Sequence, residues 1–215
     1  ILPSLLLCDF ANLACELRKL EDAGARSLHL DVMDGHFVPN MTYGMTIVEA
    51  CRRVSDLPLD VHLMIANPGK YLKHYRDAGA DIITIHAEAV DDPVPLLQEI
   101  RRLGAGAGLA INPPTTAESI VRCLPHCDLV LAMSVMPGFG GQSFNPVALE
   151  KLAFLRDWSR KNNHPLLLEV DGGINEATVA ACANQGAQLF VVGSGIFRHA
   201  DYTKPMQELR ELALI

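Results

Sequence analysis

Short runs rich in Leu, Ile and Val alternate with amphipathic segments about eight times along the chain. That alternation is the signature of parallel strands joined by helices. Strands are predicted over 1–6, 27–32, 59–64, 81–86, 108–111, 128–133, 166–170 and 188–192. Helices are predicted over 9–22, with Asp9 as N-cap and Gly24 as terminator, over 46–54, from Asn67-Pro68 onward, and over 93–103. A short helix should end near Cys123, and further helices over 146–161, 175–185 and 202–214. The segments Asp22-Ala-Gly-Ala25, Asp77-Ala-Gly-Ala80 and Gln185-Gly-Ala187 each precede a strand and have the form of repeated αβ turns. Eight such units without a long insert argue for a closed (β/α)8 TIM barrel over an open doubly wound sheet.

At 215 residues, with 49% hydrophobic and 20% charged positions, the chain has material for a large core, and residues 1–215 are expected to form a single catalytic domain. A formal net charge of −7 argues against nucleic-acid or anionic-membrane partners, which select clustered Lys and Arg. A small anion remains compatible, because backbone N–H groups bind phosphate unaided. Cys8, Cys15, Cys51, Cys123, Cys127 and Cys182 form no C-x-x-C pair, as expected of reduced thiols in a cytoplasmic protein; Cys123-Leu-Pro-His126-Cys127 lacks the second half of a structural metal set. No apolar run reaches a membrane span and no secretory signal opens the sequence. Because the chain starts without Met, residues upstream of Ile1 are expected. Helix-coated barrels assemble readily, and a homo-oligomer is expected.

The chemistry concentrates where strands end. His29, Asp31 and Met33 share one face of the second strand, since residues two apart project to the same side. A buried His and Asp side by side are costly unless a metal, a proton relay or a substrate occupies them. With His62 on the third strand and Asp171 after the seventh, they offer two imidazoles and two carboxylates for a divalent metal. His86, ending the fourth strand, is placed behind them as a supporting group. Asp34 belongs to an Asp-Gly turn, and Asp60, which begins its strand, is expected at the opposite face of the barrel; Glu169 is left without a role. Glycines at 138, 140 and 141 follow strand six, Gly172 and Gly173 follow strand seven, and Gly193 with Ser194 follows strand eight. Three consecutive glycine loops at one mouth predict a phosphate cradle. Met33, Met64 and Met133 end strands and are expected to cover a reactive intermediate.

Pro3-Ser4, the run from His29 to Asn40, Asp60-Val-His62-Leu-Met64, Pro137-Gly-Phe-Gly-Gly-Gln142, Glu169-Val-Asp171-Gly-Gly173 and Gly193-Ser194 together resemble the ribulose-phosphate 3-epimerase family across essentially the whole chain. The resemblance implies a (β/α)8 barrel that holds one divalent ion, Zn, Fe, Mn or Co, through His29, Asp31, His62 and Asp171. It implies interconversion of D-ribulose 5-phosphate and D-xylulose 5-phosphate, with Asp31 and Asp171 as the acid/base pair and Ser4 contacting substrate; His62 is expected at the substrate too. Inverting a carbon beside a ketone takes a proton from one face and returns one to the other, so two such groups must flank it. Leu7-Cys8, Met136 and Pro114 depart from the usual Ser-Ala, Asn/Glu/Asp and Gly/Ala of the family. The alternatives are therefore a related hexulose phosphate, as in the similar allulose-6-phosphate 3-epimerases, and a noncatalytic phosphosugar-binding barrel.

Overall fold

Leucine and β-branched residues with alternating environments produce eight strands in the computed structural model, which describes residues 1–214. They are β1 (Leu2–Pro3), β2 (Leu28–Met33), β3 (Leu59–Met64), β4 (Ile82–His86), β5 (Gly106–Ile111), β6 (Leu129–Met133), β7 (Leu167–Asp171) and β8 (Leu189–Val192). All pair in parallel, in the spatial order β1-β8-β7-β6-β5-β4-β3-β2. A parallel bridge from Ser4 to His29 brings β1 back against β2, giving the barrel.

Around it lie α1 (Leu13–Asp22), α2 (Met45–Val54), α3 (Leu72–Asp77), α4 (Val94–Arg102), α5 (Val147–Asn162), α6 (Val179–Asn184), α7 (Ser194–Phe197) and α8 (Thr203–Ala213). The repeated turns share one device. Gly24 (φ 84°) and Gly79 (φ 112°) adopt the left-handed conformation, and the next residue's N–H reaches back, Ala25 to Leu20 and Ala80 to Tyr75. This ends each helix and aims the chain into the following strand.

Several expected elements differ: the helix expected over 9–22 is α-helical only from Leu13, since Asp9 caps a separate 3-10 turn at Phe10–Asn12, and the one expected over 175–185 begins at Val179. β1 is cut to two residues because the Ser4 hydroxyl accepts the Leu6 N–H and winds Leu5–Leu7 into a 3-10 turn. The expected helix ending near Cys123 is instead a pair of 3-10 turns, Ala117–Ile120 and Leu124–His126. Pro125 has no N–H to continue an α-helical ladder there. The thiols of Cys123 and Cys127 are buried, and Cys127 Sγ donates to the Cys123 carbonyl.

Strand register positions the chemistry. His29 lies opposite Asp60 and Asp31 opposite His62, so the two strands present matched polar pairs to the barrel interior. Ala110, Leu129, Leu131 and Met133 fill the other side, with Leu189 packed against them. Gly108 sits between these halves: a Cβ there would meet Thr84 Oγ1 at 2.1 Å and Thr84 Cα at 3.0 Å. Gly108→Ala should therefore lower unfolding stability by about 1–3 kcal/mol through overpacking. A denaturant midpoint equal to that of the parent chain would show that β4 yields freely.

Candidate active site

The carboxyl ends of the strands open into a cavity of about 560 Å³. Its wall includes Ser4, Asp31, Met33, Met64, Met133 and Asp171 together with Gly138, Gly140, Gly141, Gly172, Gly173, Gly193 and Ser194. His29 and His62 are fully buried and take no part in that wall, so His62 meets the cavity only through its neighbours.

Beneath the cavity floor, three atoms converge. His29 Nε2 lies 3.3 Å from Asp31 Oδ1 and 3.4 Å from His62 Nδ1, and His62 Nδ1 lies 3.2 Å from Asp31 Oδ1. Ligands about 2.1 Å from a tetrahedral centre stand roughly 3.4 Å apart, so these spacings fit a first-row divalent ion. Asp171 offers a fourth atom, and all four lie within 4.8 Å of one another. The arrangement can hold a metal.

The electrostatics of the two cavity carboxyls diverge. Burial disfavours charge on Asp31, but His29 and His62 outweigh it and hold its pKa well below the ordinary range. Ser4 Oγ–H also donates to Asp31 Oδ2 at 2.6 Å, fixing the carboxylate plane. Asp171 is pushed the other way, to about 7, by burial and then by the nearby Asp31 charge. His62 is driven down to about 4, chiefly by burial, and is neutral at physiological pH.

Asp60 is not at the opposite face of the barrel. Its Oδ2 lies 2.7 Å from His29 Nδ1, deep in the interior, because β2 and β3 run in step and set Asp60, the second residue of β3, directly beside His29, the second residue of β2. Glu169 is also fully buried, with Oε1 3.2 Å from the same nitrogen; burial and the Asp60 charge push its pKa to about 8. Both residues were legible in principle, since Asp60 and Glu169 each stand two positions before a site residue and so share its face. Asp34 does close its turn, accepting N–H bonds from His36, Phe37 and Ala66.

At the glycine side, Ser134 Oγ donates to the Gly172 carbonyl, while Asn175 Nδ2 and Thr178 Oγ1 donate to the Gly173 carbonyl at 3.0 Å. A Cβ on Gly173 (φ 64°) would lie 2.4 Å from the Phe144 nitrogen, so only glycine fits. Arg198 also borders the cavity, with its guanidinium near Gly141, and supplies a cation that the glycine pattern does not reveal.

Fold and site define a class: parallel barrels that join a buried Asp/His constellation to a glycine-lined anion cradle across one mouth. The model of the ribulose-phosphate 3 epimerase family matches residues 1–197. The ribulose-phosphate 3-epimerase of Mycobacterium tuberculosis (strain ATCC 25618 / H37Rv) is 45% identical over 213 residues, 99% of this chain and 92% of the relative. That of Bacillus subtilis (strain 168) is 45% identical over 211 residues, 98% and 97% of the two chains. Among solved structures, KGPDC from Streptococcus mutans superposes with a TM-score of 0.74 at 14% identity, covering 99% of this chain and 95% of that one. This last likeness concerns the fold alone. The chain belongs to the ribulose-phosphate 3-epimerase family.

The carboxylate behind His29 yields a test. If His29 ligates a metal, an Asp60→Asn chain should bind Zn²⁺ roughly 10–100-fold more weakly than the parent, because the partner that orients the imidazole is weakened. Equal affinity in a chelator competition would remove Asp60 from the site.

Proposed function

We propose that residues 1–215 act as one catalytic domain that interconverts D-ribulose 5-phosphate and D-xylulose 5-phosphate by inverting C3. The observation that carries this reading is the pair Asp31 and Asp171, two carboxyls that line one cavity and whose proton affinities are shifted in opposite directions by their surroundings. An ionised carboxylate and a protonated one are what a proton exchange between two faces needs.

In this reaction Asp31 removes the C3 proton of ribulose 5-phosphate and Asp171 delivers its own proton to the opposite face of the cis-enediolate. The two groups finish with their protonation states exchanged. Xylulose 5-phosphate returns through the same pair in reverse, and a proton exchange with solvent resets the enzyme for another forward turnover. Ser4 orients the Asp31 carboxylate through the 2.6 Å hydrogen bond. The glycine loops and Arg198 anchor the phosphate, so the unreactive end of the substrate sets the position of C3. Met33, Met64 and Met133, each at most 4% exposed, line the reacting end and keep water from the enediolate.

His29, Asp31, His62 and Asp171 would hold a divalent cation, Zn, Fe, Mn or Co, one per chain, whose positive charge offsets the enediolate and both carboxylates.

The departures from the family pattern support a pentulose over a hexulose phosphate. Met136, Pro114 and Cys8 stand outside the cavity wall. Leu7 belongs to it but lies against Gly140 and Gly193, at the phosphate end and away from the aspartates. The six free thiols fit a cytoplasmic setting, and among the described residues no helix is long and apolar enough to cross a membrane. Exposed Phe10 and Met41 supply apolar surface for assembly into a homo-oligomer.

Incubation with ribulose 5-phosphate in D₂O should place deuterium at C3 and produce xylulose 5-phosphate. Exchange with allulose 6-phosphate only would transfer the assignment to the hexulose, and binding of either sugar without exchange would make the barrel a noncatalytic binder. Asp31→Asn and Asp171→Asn should each lower kcat about 10²–10⁴-fold in a folded protein; near-parental turnover in either would displace that residue from the acid/base pair.

A further inference from the structure

The buried network does not stop at His62. Its Nε2 lies 2.8 Å from His86 Nε2, and the two rings stack with centroids 4.9 Å apart. His86 Nδ1 in turn lies 3.2 Å from Glu88 Oε2. The other Glu88 oxygen accepts the Asn112 N–H at 2.7 Å and the Thr115 hydroxyl. That loop is pinned from α5: Lys151, only 5% exposed, donates to the carbonyls of Asn112 and Pro113 at 2.6 and 2.9 Å. Phe37 closes the far face of His86, with ring centroids 4.8 Å apart.

We infer that Glu88 and His86 are positioning residues that set the tautomer of His62, so that its Nδ1 lone pair is turned toward the metal constellation. The inference rests on the metal reading given above. Its logic is the counting of hydrogens along the chain of contacts. Each neutral imidazole has one N–H and one lone pair. Although burial opposes charge on Glu88, hydrogen bonds from His86, Thr115 and Asn112 hold its pKa down to about 2, so the carboxylate only accepts. With one hydrogen on the ring, His86 then carries it on Nδ1 and presents a lone pair at Nε2. His62 must donate Nε2–H across the 2.8 Å contact, which leaves Nδ1 bare.

This direction opposes a local pull. Asp31 Oδ1 sits 3.2 Å from His62 Nδ1 and, taken alone, would favour a hydrogen on that nitrogen. A fixed acceptor two rings away settles the competition in favour of the ligating tautomer. Metal-bound imidazoles commonly donate their second nitrogen directly to a carboxylate or carbonyl. Here a second imidazole is inserted, extending the line from β3 through β4 to the loop after β5.

Glu88→Gln reverses the line at nearly constant shape. The Asn112 N–H requires the amide oxygen on its side, so the amide NH₂ faces His86 Nδ1 and forces it to accept. His86 then donates from Nε2, and His62 is left with its hydrogen on Nδ1. His86→Gln breaks the dependence, because its amide oxygen accepts from His62 Nε2 whatever stands at position 88.

The test is Zn²⁺ affinity of the full chain by chelator competition, with ¹⁵N NMR of the histidine rings in the Zn²⁺-loaded protein. The parent should show His86 protonated at Nδ1 and bare at Nε2. Glu88→Gln should bind Zn²⁺ roughly 10–100-fold more weakly, with the His86 hydrogen moved to Nε2. The double variant His86→Gln/Glu88→Gln should bind no more weakly than His86→Gln alone, a non-additive cycle. Parental affinity in Glu88→Gln, additive losses, or a parental His86 protonated at Nε2 each overturn the inference; the last decides it even if Glu88→Gln does not fold. A parent chain that takes up no Zn²⁺ overturns the metal reading and this inference together, whereas C3 exchange in D₂O tests the epimerase reading separately.

Discussion

Four carboxyl groups, Asp31, Asp60, Glu169 and Asp171, point into a barrel whose strands carry no Lys or Arg. Two unit charges 4 Å apart repel by about 4 kcal/mol at an effective dielectric of 20. The fold can retain such a set only by protonating some members, hydrogen-bonding others, or accepting a cation. The structure distributes these remedies: His29 stands between Asp31, Asp60 and Glu169, Ser4 donates to Asp31, and Glu169 and Asp171 are driven toward their neutral forms. A divalent ion would complete the compensation where the donor atoms already converge.

That concentration of charge divides the barrel interior. β2, β3, β4 and β7 send His29, Asp31, Asp60, His62, Thr84, His86, Glu169 and Asp171 inward or to its rim, while Ala110, Leu129, Leu131 and Met133 from β5 and β6 make an apolar plug. A barrel usually fills its interior with layers of branched residues. Here polar side chains from four strands occupy the interior, so cohesion shifts outward. The large core between strands and helices, with Leu17, Leu30, Val61, Ile85, Leu97, Leu155 and Val192 at most 2% exposed, carries the burden. The hydrophobic stabilisation is thereby separated in space from the groups proposed to exchange protons.

The barrel was legible because its signals are local: apolar runs of four to six residues form β2 to β8, and positive-φ glycines follow α1, α3, α4 and α6. The constellation His29, Asp31, His62 and Asp171 was legible from strand ends and from the family resemblance. Asp60 was misplaced because an early position in β3 was read as the far end of the barrel, although His29, already assigned to the site, holds the same second position in β2 and lies directly opposite it. Glu88 left no signal, as it follows β4 in a short 3-10 turn and meets His86 and Asn112 only after the chain closes. Arg198 is of the same kind: one cation in an exposed segment gains meaning only beside Gly141.

The two ends of the cavity are mechanically one. Asp171, Gly172 and Gly173 are consecutive, so the carboxyl proposed to move a proton and the backbone proposed to hold phosphate share a tripeptide. Ser134 grips it twice, its N–H donating to the Asp171 carbonyl at 2.8 Å and its hydroxyl to the Gly172 carbonyl. Gly173 is pressed against the Phe144 backbone, which leaves the tripeptide little freedom to shift alone. In the proposed reaction, binding energy from the unreactive phosphate would act on the same turn that carries Asp171. Such coupling lets remote contacts reduce the cost of orienting the reacting groups.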